Sequence, residues 1–574
     1  MRFSTLALYL EKLEQTTSRN TITETLAQVF KKAEPSEIDK ICYLLLGRIA
    51  PAYKGIEFNF AERMMLRAIA SAYGVDQARV LRMYKDKGDL GEVTHAIANS
   101  KFKIQNSKLS VKEVYKKFYE VATENGAGSQ ERKLKGICEL LENSDPLSSR
   151  YITRIPVGKL RLGFSEMTIL DALSVMKVGD KKARKSIEAA YNVVADIGKI
   201  AHNVKVESIQ ELEKTRAIPG IPIRAALAER LENAEKIIEK VGPKVAIEPK
   251  YDGLRIAVHI WGKGRKREVR LFSRNQENVT EMFPEICEAV VKLSAESVIF
   301  DGEAIGYNPK TGKFYPFQET VQRKRKYGIS EILKTIPLKV FVFDVLHLNG
   351  QSLIEKPFEE RREVLEKVLG KKMNTIVLTE QQTVDNASDF RRIANNYLGE
   401  GLEGAMAKKL DEPYRAGGRG FHWVKYKKHT EGTPADTIDC VLMGAYVGRG
   451  KRATFGAGAF LLGVVGGEKK YYTISNLGTG LTDEQFREVY KIVQNLKIEK
   501  KPDDYVVDKT IEPDIWLEPK VVLEILADEI TRSPRHTAKY SLRFPRLIRV
   551  RDDKDPDQGT SVSEIKSLYK MQKR

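Results

Sequence analysis

The apolar spacing of this chain changes character twice, and that divides it before any motif is read. From residue 1 to about 215, apolar residues recur at helical spacing, as in ERMMLRAIASAYG (62–74), which stops at Gly74. DKKARKSIEAAYNVVADIGKIA (180–201) alternates basic and apolar positions at the same spacing. A region of this length without strand signals predicts a separate all-α domain. RAIPGIPIR (216–224) breaks the pattern with Pro219, Gly220 and Pro222. A helix is expected next, with Leu227, Leu231, Ala234 and Ile238 on one face. From 244 to about 428, strand patterns alternate with helical ones, which predicts an α/β or α+β domain. HTEGTPAD (429–436) is a second break. Beyond it lie short strands rich in glycine and aromatics, FGAGAFLLGVV (455–465) and YYTISNLG (471–478), and a helical stretch at 481–496. That mixture suits a small β-barrel of the oligonucleotide-binding (OB) type. With 574 residues, too many for one core, the expectation is three domains: 1–215, 216–428 and 429–574.

Composition narrows the partners. The formal net charge is +19, from 97 Lys+Arg against 78 Asp+Glu. Such an excess favours a polyanion, through phosphate contacts and counterion release; a merely basic soluble protein also satisfies it. No apolar run is long enough to span a bilayer, and Glu11 and Lys12 directly follow TLALYL, so neither a membrane segment nor a signal peptide is expected. Cys42, Cys138, Cys287 and Cys440 lie far apart with no Cys-x-x-Cys, which disfavours a zinc module and fits a reducing compartment.

EPKYDGLR (248–255) carries the chemistry. Lys250 ends an apolar run and stands two residues before Asp252-Gly253, with alternation resuming in LRIAVHI. Asp-Gly between such runs suggests a turn joining two strands. A lysine held on a rigid strand end and shielded from water can lose its proton near neutrality and attack carbonyl carbon or phosphorus. Taken alone, the stretch fits a solvated lysine beside an ordinary hairpin equally well.

An ordered series follows it: LFSRN (271–275), IFDGEAI (299–305), KVFVFDVLHLNG (339–350), GLEGAMAK (401–408), WVKYKK (423–428) and SLRFPRLIRVRDDK (541–554). Lys-x-Asp-Gly, a Glu-bearing strand, an aromatic strand, a second Glu, paired lysines and a closing Arg-x-Asp-Lys in this order resemble the covalent nucleotidyltransferase superfamily. Within it the match is closest to ATP-dependent DNA ligases of the archaeal and eukaryotic replicative type. The resemblance covers nearly the whole chain. It implies a multidomain fold: an all-α DNA-binding domain, an α+β nucleotidyltransferase (adenylation) domain and a β-barrel OB-fold domain.

The resemblance also implies roles. Lys250 would attack the α-phosphorus of ATP. Lys425 would contact the α-phosphate; Lys427 alternates with it, so both point to one face of a strand. Like charge around Lys250 would ease its deprotonation. Glu303 is assigned to ribose or metal and Glu403 mainly to metal, Mg2+ or another divalent cation such as Mn2+, which needs few protein oxygens. Phe343 would stack on adenine, and the backbone of Glu248 would read its amino group. Arg255, Arg274 and Arg419, the last in a Gly-rich loop from Ala416 to Gly420, match nucleotide or nick-phosphate contacts. The C-terminal motif comprises Arg543, Arg546, Arg551, Asp553 and Lys554; in the family this barrel swings over the ATP site to orient pyrophosphate, then turns to DNA. VGKLRLGFSEMTIL (157–170) resembles the DNA-binding domain, with Lys159, Arg161 and Gly163 in place and Ser165 expected to cap a helix whose amino end favours phosphate. The basic run from Arg323 to Lys326 is expected to be phosphate-facing or solvated.

The reading is therefore a DNA ligase that seals nicks in duplex DNA, serving replication, repair and recombination, and hence cell division. It would be a monomer in a prokaryotic cytoplasm, at the nucleoid, away from membranes, with a sliding clamp as a further family partner whose site is unassigned. RNA ligases and capping guanylyltransferases share the lysine chemistry; the long helical region and GKLRLG favour a DNA ligase. An NAD-dependent ligase would need a nicotinamide-binding domain and a four-cysteine module. A non-catalytic relative would not need Lys250, Glu303, Glu403, Lys425 and Lys427 together.

Overall fold

The computed structural model describes the chain except residues 102–106, 161, 232, 326, 371–373, 428–436, 449–455, 468–469 and 572–574. Two compact units emerge, Met1–Thr430 and Glu431–Arg574. The break expected at HTEGTPAD (429–436) lies outside the described residues.

The first unit begins with a run of helices, from Phe3–Glu14 to Ile209–Glu213, packed around a shared apolar core. Glu62–Tyr73 ends where Gly74 takes φ +58°, a left-handed stop that glycine adopts without strain. The expected helix over 180–201 is two helices, Arg184–Val193 and Ile197–Val206. Asp196 causes the break: its side chain caps the second helix at the Lys199 N–H (3.1 Å) and accepts hydrogen bonds from Tyr43 and Tyr53.

Among the described residues, eleven strands follow: β1 (Leu227–Arg230), β2 (Val245–Lys250), β3 (Leu254–Trp261), β4 (Glu268–Ser273), β5 (Val298–Gly306), β6 (Leu338–Leu348), β7 (Gln351–Ser352), β8 (Ile376–Leu378), β9 (Gln382–Val384), β10 (Gly404–Lys409) and β11 (Arg419–Lys427). They form two sheets. One has the order β1-β11-β10-β2-β9; the other runs β4-β3-β5-β6-β7, with β8 beside β6. The Asp-Gly turn does join two strands, but β2 and β3 belong to different sheets and form no hairpin. Gly253 is where the chain crosses over: a Cβ there would run into the Ala304 carbonyl oxygen of β5. The helix expected through Leu227 is also corrected. Leu227 starts β1, and the helix is Ala234–Val241, capped by Asn233 at the Lys236 N–H (2.9 Å). Between the sheets a small core gathers Ile223, Ala226, Ile299, Leu346, Tyr414 and Trp423, with Phe343 against it.

The second unit has a strand-rich core. β12 (Ile438–Val447), β13 (Ala457–Val465) and β14 (Tyr471–Leu477) lead into the helix Asp483–Leu496, whose Thr482–Gln485 capping box fixes its start. Among the described residues, seven strands follow: β15 (Lys497–Ile498), β16 (Tyr505–Val506), β17 (Ile515–Leu517), β18 (Val522–Leu526), β19 (Glu529–Arg532), β20 (Tyr540–Arg543) and β21 (Arg546–Arg551). One sheet has the order β15-β17-β12-β13-β14-β16, with β18 joining β12 to β21; β19 and β20 pair separately. Among the described residues, no helix is long and apolar enough to cross a membrane.

Candidate active site

Three strands converge on one carboxylate. Gly404 of β10 pairs with Lys250 of β2 on one side and Lys427 of β11 on the other. A Cβ on Gly404 would collide with the Tyr426 carbonyl oxygen, so glycine is needed for this close strand packing. Glu403 immediately precedes it, and its N–H donates to the Lys250 carbonyl (3.0 Å). Its side chain then bridges two cations, Oε2 to Lys250 and Oε1 to Lys427. Burial opposes the charge of Glu403, but Lys250 and Lys427 outweigh it and hold the carboxyl below its usual range. Lys425 stands nearby on β11, opposite Met406. Burial, then the charges of Lys427, Lys250 and Arg419, lower its pKa. The like-charge cluster expected around Lys250 thus exists, but with Glu403 built into it as a counterion.

Glu303 on β5 lies opposite Arg255 of β3 and Phe341 of β6. Burial pushes its carboxyl up to about 7 against the pull of Lys250 and Arg255. Glu303 and Glu403 therefore both feel the Lys250 ammonium, one through its field and one through a direct bond. Among the described residues, no group of three or more His, Cys, Asp or Glu gathers as a self-sufficient metal cage. Two carboxylates suffice for a magnesium-type ion that takes its other oxygens from water and phosphate, and a buried carboxyl held near neutrality is one that a cation would stabilise.

Behind the lysines is a buried ion pair that the sequence reading did not identify. Lys408 of β10 meets Glu248 of β2 at 2.6 Å, each side chain only 2% exposed. The Lys408 ammonium lies 4.7 Å from the Phe343 ring centre, 4.6 Å from Trp423 and 4.5 Å from Phe358. It also donates to the Phe343 carbonyl (3.2 Å). Phe343 sits edge-on to Trp423 at 5.8 Å. Among the described residues, the buried Glu248 Oε1 has no hydrogen-bond partner. Tyr251, next to Lys250, stacks on Phe341 at 4.1 Å. The only sequence signal for Lys408 is a lysine inside the strand AMAKK, where alternation expects an apolar side chain.

The three arginines sit differently. Arg255 makes a two-pronged pair with Asp301 (Nε 3.0 Å, Nη2 2.6 Å) and donates to the Ala226 carbonyl (2.7 Å). The Tyr414 hydroxyl donates to the same Asp301 (2.8 Å). Arg274 is exposed just beyond β4. Arg419 is exposed too, but is the first residue of β11, opposite Leu227, rather than part of a loop. Strand pairing with β1 extends β11 backwards to it.

Family comparison decides what this arrangement belongs to. Residues 225–427 match the model described as ATP dependent DNA ligase domain, residues 2–174 that of the DNA ligase N terminus, and residues 453–554 that of the ATP dependent DNA ligase C terminal region. A protein named Probable DNA ligase from Dictyoglomus turgidum is 44% identical over 584 residues, covering 100% of this chain and 98% of its own. The chain belongs to the ATP-dependent DNA ligase family. A second relative, DNA ligase 2 of Thermofilum pendens, is 38% identical over 100% of this chain and 98% of its own. The solved structure named Pmar-Lig_Pre shares the fold, with a TM-score of 0.53 at 18% identity over 96% of this chain and 99% of that one.

The remaining ligase motifs are placed as follows. Lys159 pairs with Glu62, Gly163 is exposed with φ +68° and open space around it, and Arg161 lies outside the described residues. Ser165 occupies the cap position of the helix Glu166–Val178 but makes no capping hydrogen bond. The amino end of that helix carries a carboxylate. Glu166 stands in its first turn and accepts from Arg48 (2.8 Å) and Tyr191 (2.8 Å). In the basic run, Arg323 is fully buried against Glu285 and Phe283 rather than solvated, Lys324 pairs with Glu277, and Lys326 lies outside the described residues.

All five residues of the C-terminal motif lie in the second unit, in ion pairs. Arg543 meets Glu529 (3.3 Å) and Arg546 meets Asp528 (2.7 Å). Arg551 is held by Asp439 (3.1 Å) and Asp553 (2.7 Å), and Lys554 by the same Asp439 (2.6 Å). Asp439, on β12, went unread in the sequence because an aspartate at the start of a strand gives no local signal of its partners.

Proposed function

We propose that this ligase seals nicks in duplex DNA with ATP through a Lys250–AMP intermediate. The observation that carries the reading is the Lys250–Glu403–Lys427 bridge beside Glu303. It gathers Lys250, Glu403 and Lys427 at adjoining strand ends, with Glu303 of the other sheet within reach of the Lys250 charge. In the first step the Lys250 nitrogen bonds to the α-phosphorus of ATP as the bond to pyrophosphate breaks. The proton that Lys250 sheds has Glu403, already bonded to it, as its nearest acceptor. Lys425 and Lys427 offset charge on the phosphate oxygens. Next, the 5′-phosphate of the nick takes the AMP and the lysine–phosphorus bond breaks. The 3′-hydroxyl then attacks that 5′-phosphorus and AMP leaves. Each step is an in-line displacement, so positioning and charge neutralisation carry the catalysis.

Glu303 and Glu403 are the residues that would hold Mg2+ or Mn2+, which when bound neutralises phosphate and pyrophosphate oxygens. Phe343 and Glu248, backed by Lys408, form the proposed adenine side. Arg255 and Arg274 are proposed for ATP or the nick phosphate, Arg419 for the nucleotide, and Lys159, Arg161 and Gly163 for the DNA backbone. We assign residues 1–215 to DNA binding, 216–428 to adenylation and 429–574 to an OB-type barrel that brings Arg543, Arg546, Arg551, Asp553 and Lys554 to bear on pyrophosphate. Duplex backbone is the proposed partner, in a cytoplasmic, nucleoid-associated monomer, with a sliding clamp as a further one.

Intact-protein mass tests the reading. After pyrophosphate strips bound AMP, incubation with Mg2+ and ATP should add one AMP, mapped to Lys250, and nicked DNA should remove it. NAD and GTP run in parallel as rival donors. No adduct with any nucleotide would overturn the proposal.

A further inference from the structure

Residues 216–224 look like a linker, yet they are built into the nucleotide site. Asn192, in the last turn of the helix Arg184–Val193, accepts twice from Arg224: its carbonyl from the Arg224 N–H (2.8 Å) and its Oδ1 from the guanidinium (3.2 Å). The Arg224 carbonyl in turn accepts from the Gly417 N–H (2.9 Å). Gly417 has φ +64°, and a Cβ there would lie 2.6 Å from Asn192 Oδ1, so the turn rests directly on the helical region. The Leu227 N–H bonds to the Gly418 carbonyl (2.9 Å), and β1 then pairs with β11 from Arg419 to Lys425. The other end of the junction reaches the proposed DNA-binding segment. The Arg224 guanidinium lies 5.4 Å from the Tyr191 ring centre, and the Tyr191 hydroxyl bonds to Glu166, directly after Ser165.

We infer that Asn192 and Arg224 are positioning residues for nucleotide binding: through the Gly417 turn they fix Arg419 at the head of β11, so that the seat of the helical region sets the affinity of the pocket for ATP. The inference rests on the proposed contact between Arg419 and the nucleotide. Neither residue touches the reacting atoms. Each acts by holding a turn whose backbone has no other tie to the helical region among the hydrogen bonds described. The hydrogen-bond chain is short and continuous, and residues that share one network couple energetically.

The test is the rate of self-adenylation of AMP-stripped full-length chain against ATP concentration. Asn192→Ala should raise the KM for ATP about fivefold with kcat nearly unchanged, as expected for lost binding rather than lost chemistry. Asn192→Asp, which keeps an acceptor for Arg224, should restore the wild-type KM. Arg224→Met, which keeps the stem over Tyr191 and drops the side-chain bond, should reproduce the defect if Asn192→Ala does not fold. Arg419→Ala is the control. If it raises KM while Asn192→Ala and Arg224→Met do not, the junction has no positioning role and the inference is wrong. A lowered melting temperature with unchanged KM is a structural role only and overturns it equally. If Arg419→Ala leaves KM unchanged, the nucleotide contact itself fails, and the inference goes with it.

Discussion

Lys408 carries a charge into a place from which water is excluded. Burial lowers the pKa of its ammonium and raises that of its partner Glu248, while their 2.6 Å contact opposes both shifts. Three aromatic faces supply part of the lost hydration. Such a pair adds little over an apolar pair of the same shape, but removing one member leaves a charge stranded. Lys408→Met should therefore cost roughly 3–5 kcal/mol in urea unfolding, and the double variant with Glu248→Gln should recover much of it. A double-variant loss equal to the sum of the two single losses would mean that the pair carries no coupling. Motif order makes Lys250, Glu303, Glu403, Lys425 and Lys427 legible in the sequence. It does not show that Glu403 bridges two of the lysines, nor that Glu248 and Lys408 meet. Both contacts arise between strands that pair only after distant parts of the chain come together.

At the level of elements, periodicity identifies helix and strand but not partners. β2 and β3 read as a hairpin because an Asp-Gly turn joins them, whereas Gly253 lets the chain cross into a second sheet. Asp196 reads as one more helical position until its bonds to Lys199, Tyr43 and Tyr53 show it to be a cap. The 216–224 segment reads as a tether because of Pro219, Gly220 and Pro222, yet Gly220 donates to Nδ1 of the buried His259 on β3 (3.2 Å). Burial pushes the His259 imidazole down to about 3, and His347 adds to the shift. Unfolded, the ring takes a proton near its usual pKa of about 6.5. The unfolded state thus binds more protons through the interval between, so the stability gained by keeping His259 neutral is present above about pH 6.5 and lost as pH falls towards 3. His259→Gln should lose less stability than the parent chain between about pH 6.5 and 4, read from urea midpoints. Parallel pH curves would exclude His259 as a source of acid sensitivity.

Across the whole molecule, charge and motif order act over different ranges. An excess of +19 distributed along the chain suits a protein that binds duplex backbone at many points. Affinity for nicked DNA should fall at least ~100-fold between about 50 and 200 mM salt, while adduct formation with ATP alone changes far less. A flat salt response in filter binding would remove the backbone-contact reading. The sequence by itself determined the helical first region, the strand-bearing regions after it, and the order of the motifs that hold Lys250, Glu303, Glu403, Lys425 and Lys427. These follow from local periodicity and from residue types set at fixed spacing. Only the tertiary structure decided that Arg323 is buried, that Arg419 begins a strand, that Asp439 gathers Arg551 and Lys554, and that Arg224 ties the helical region to the site. Each depends on which distant backbone segments lie side by side. That is settled by packing whole faces against one another and by the need to pair every buried charge, neither of which a local pattern records.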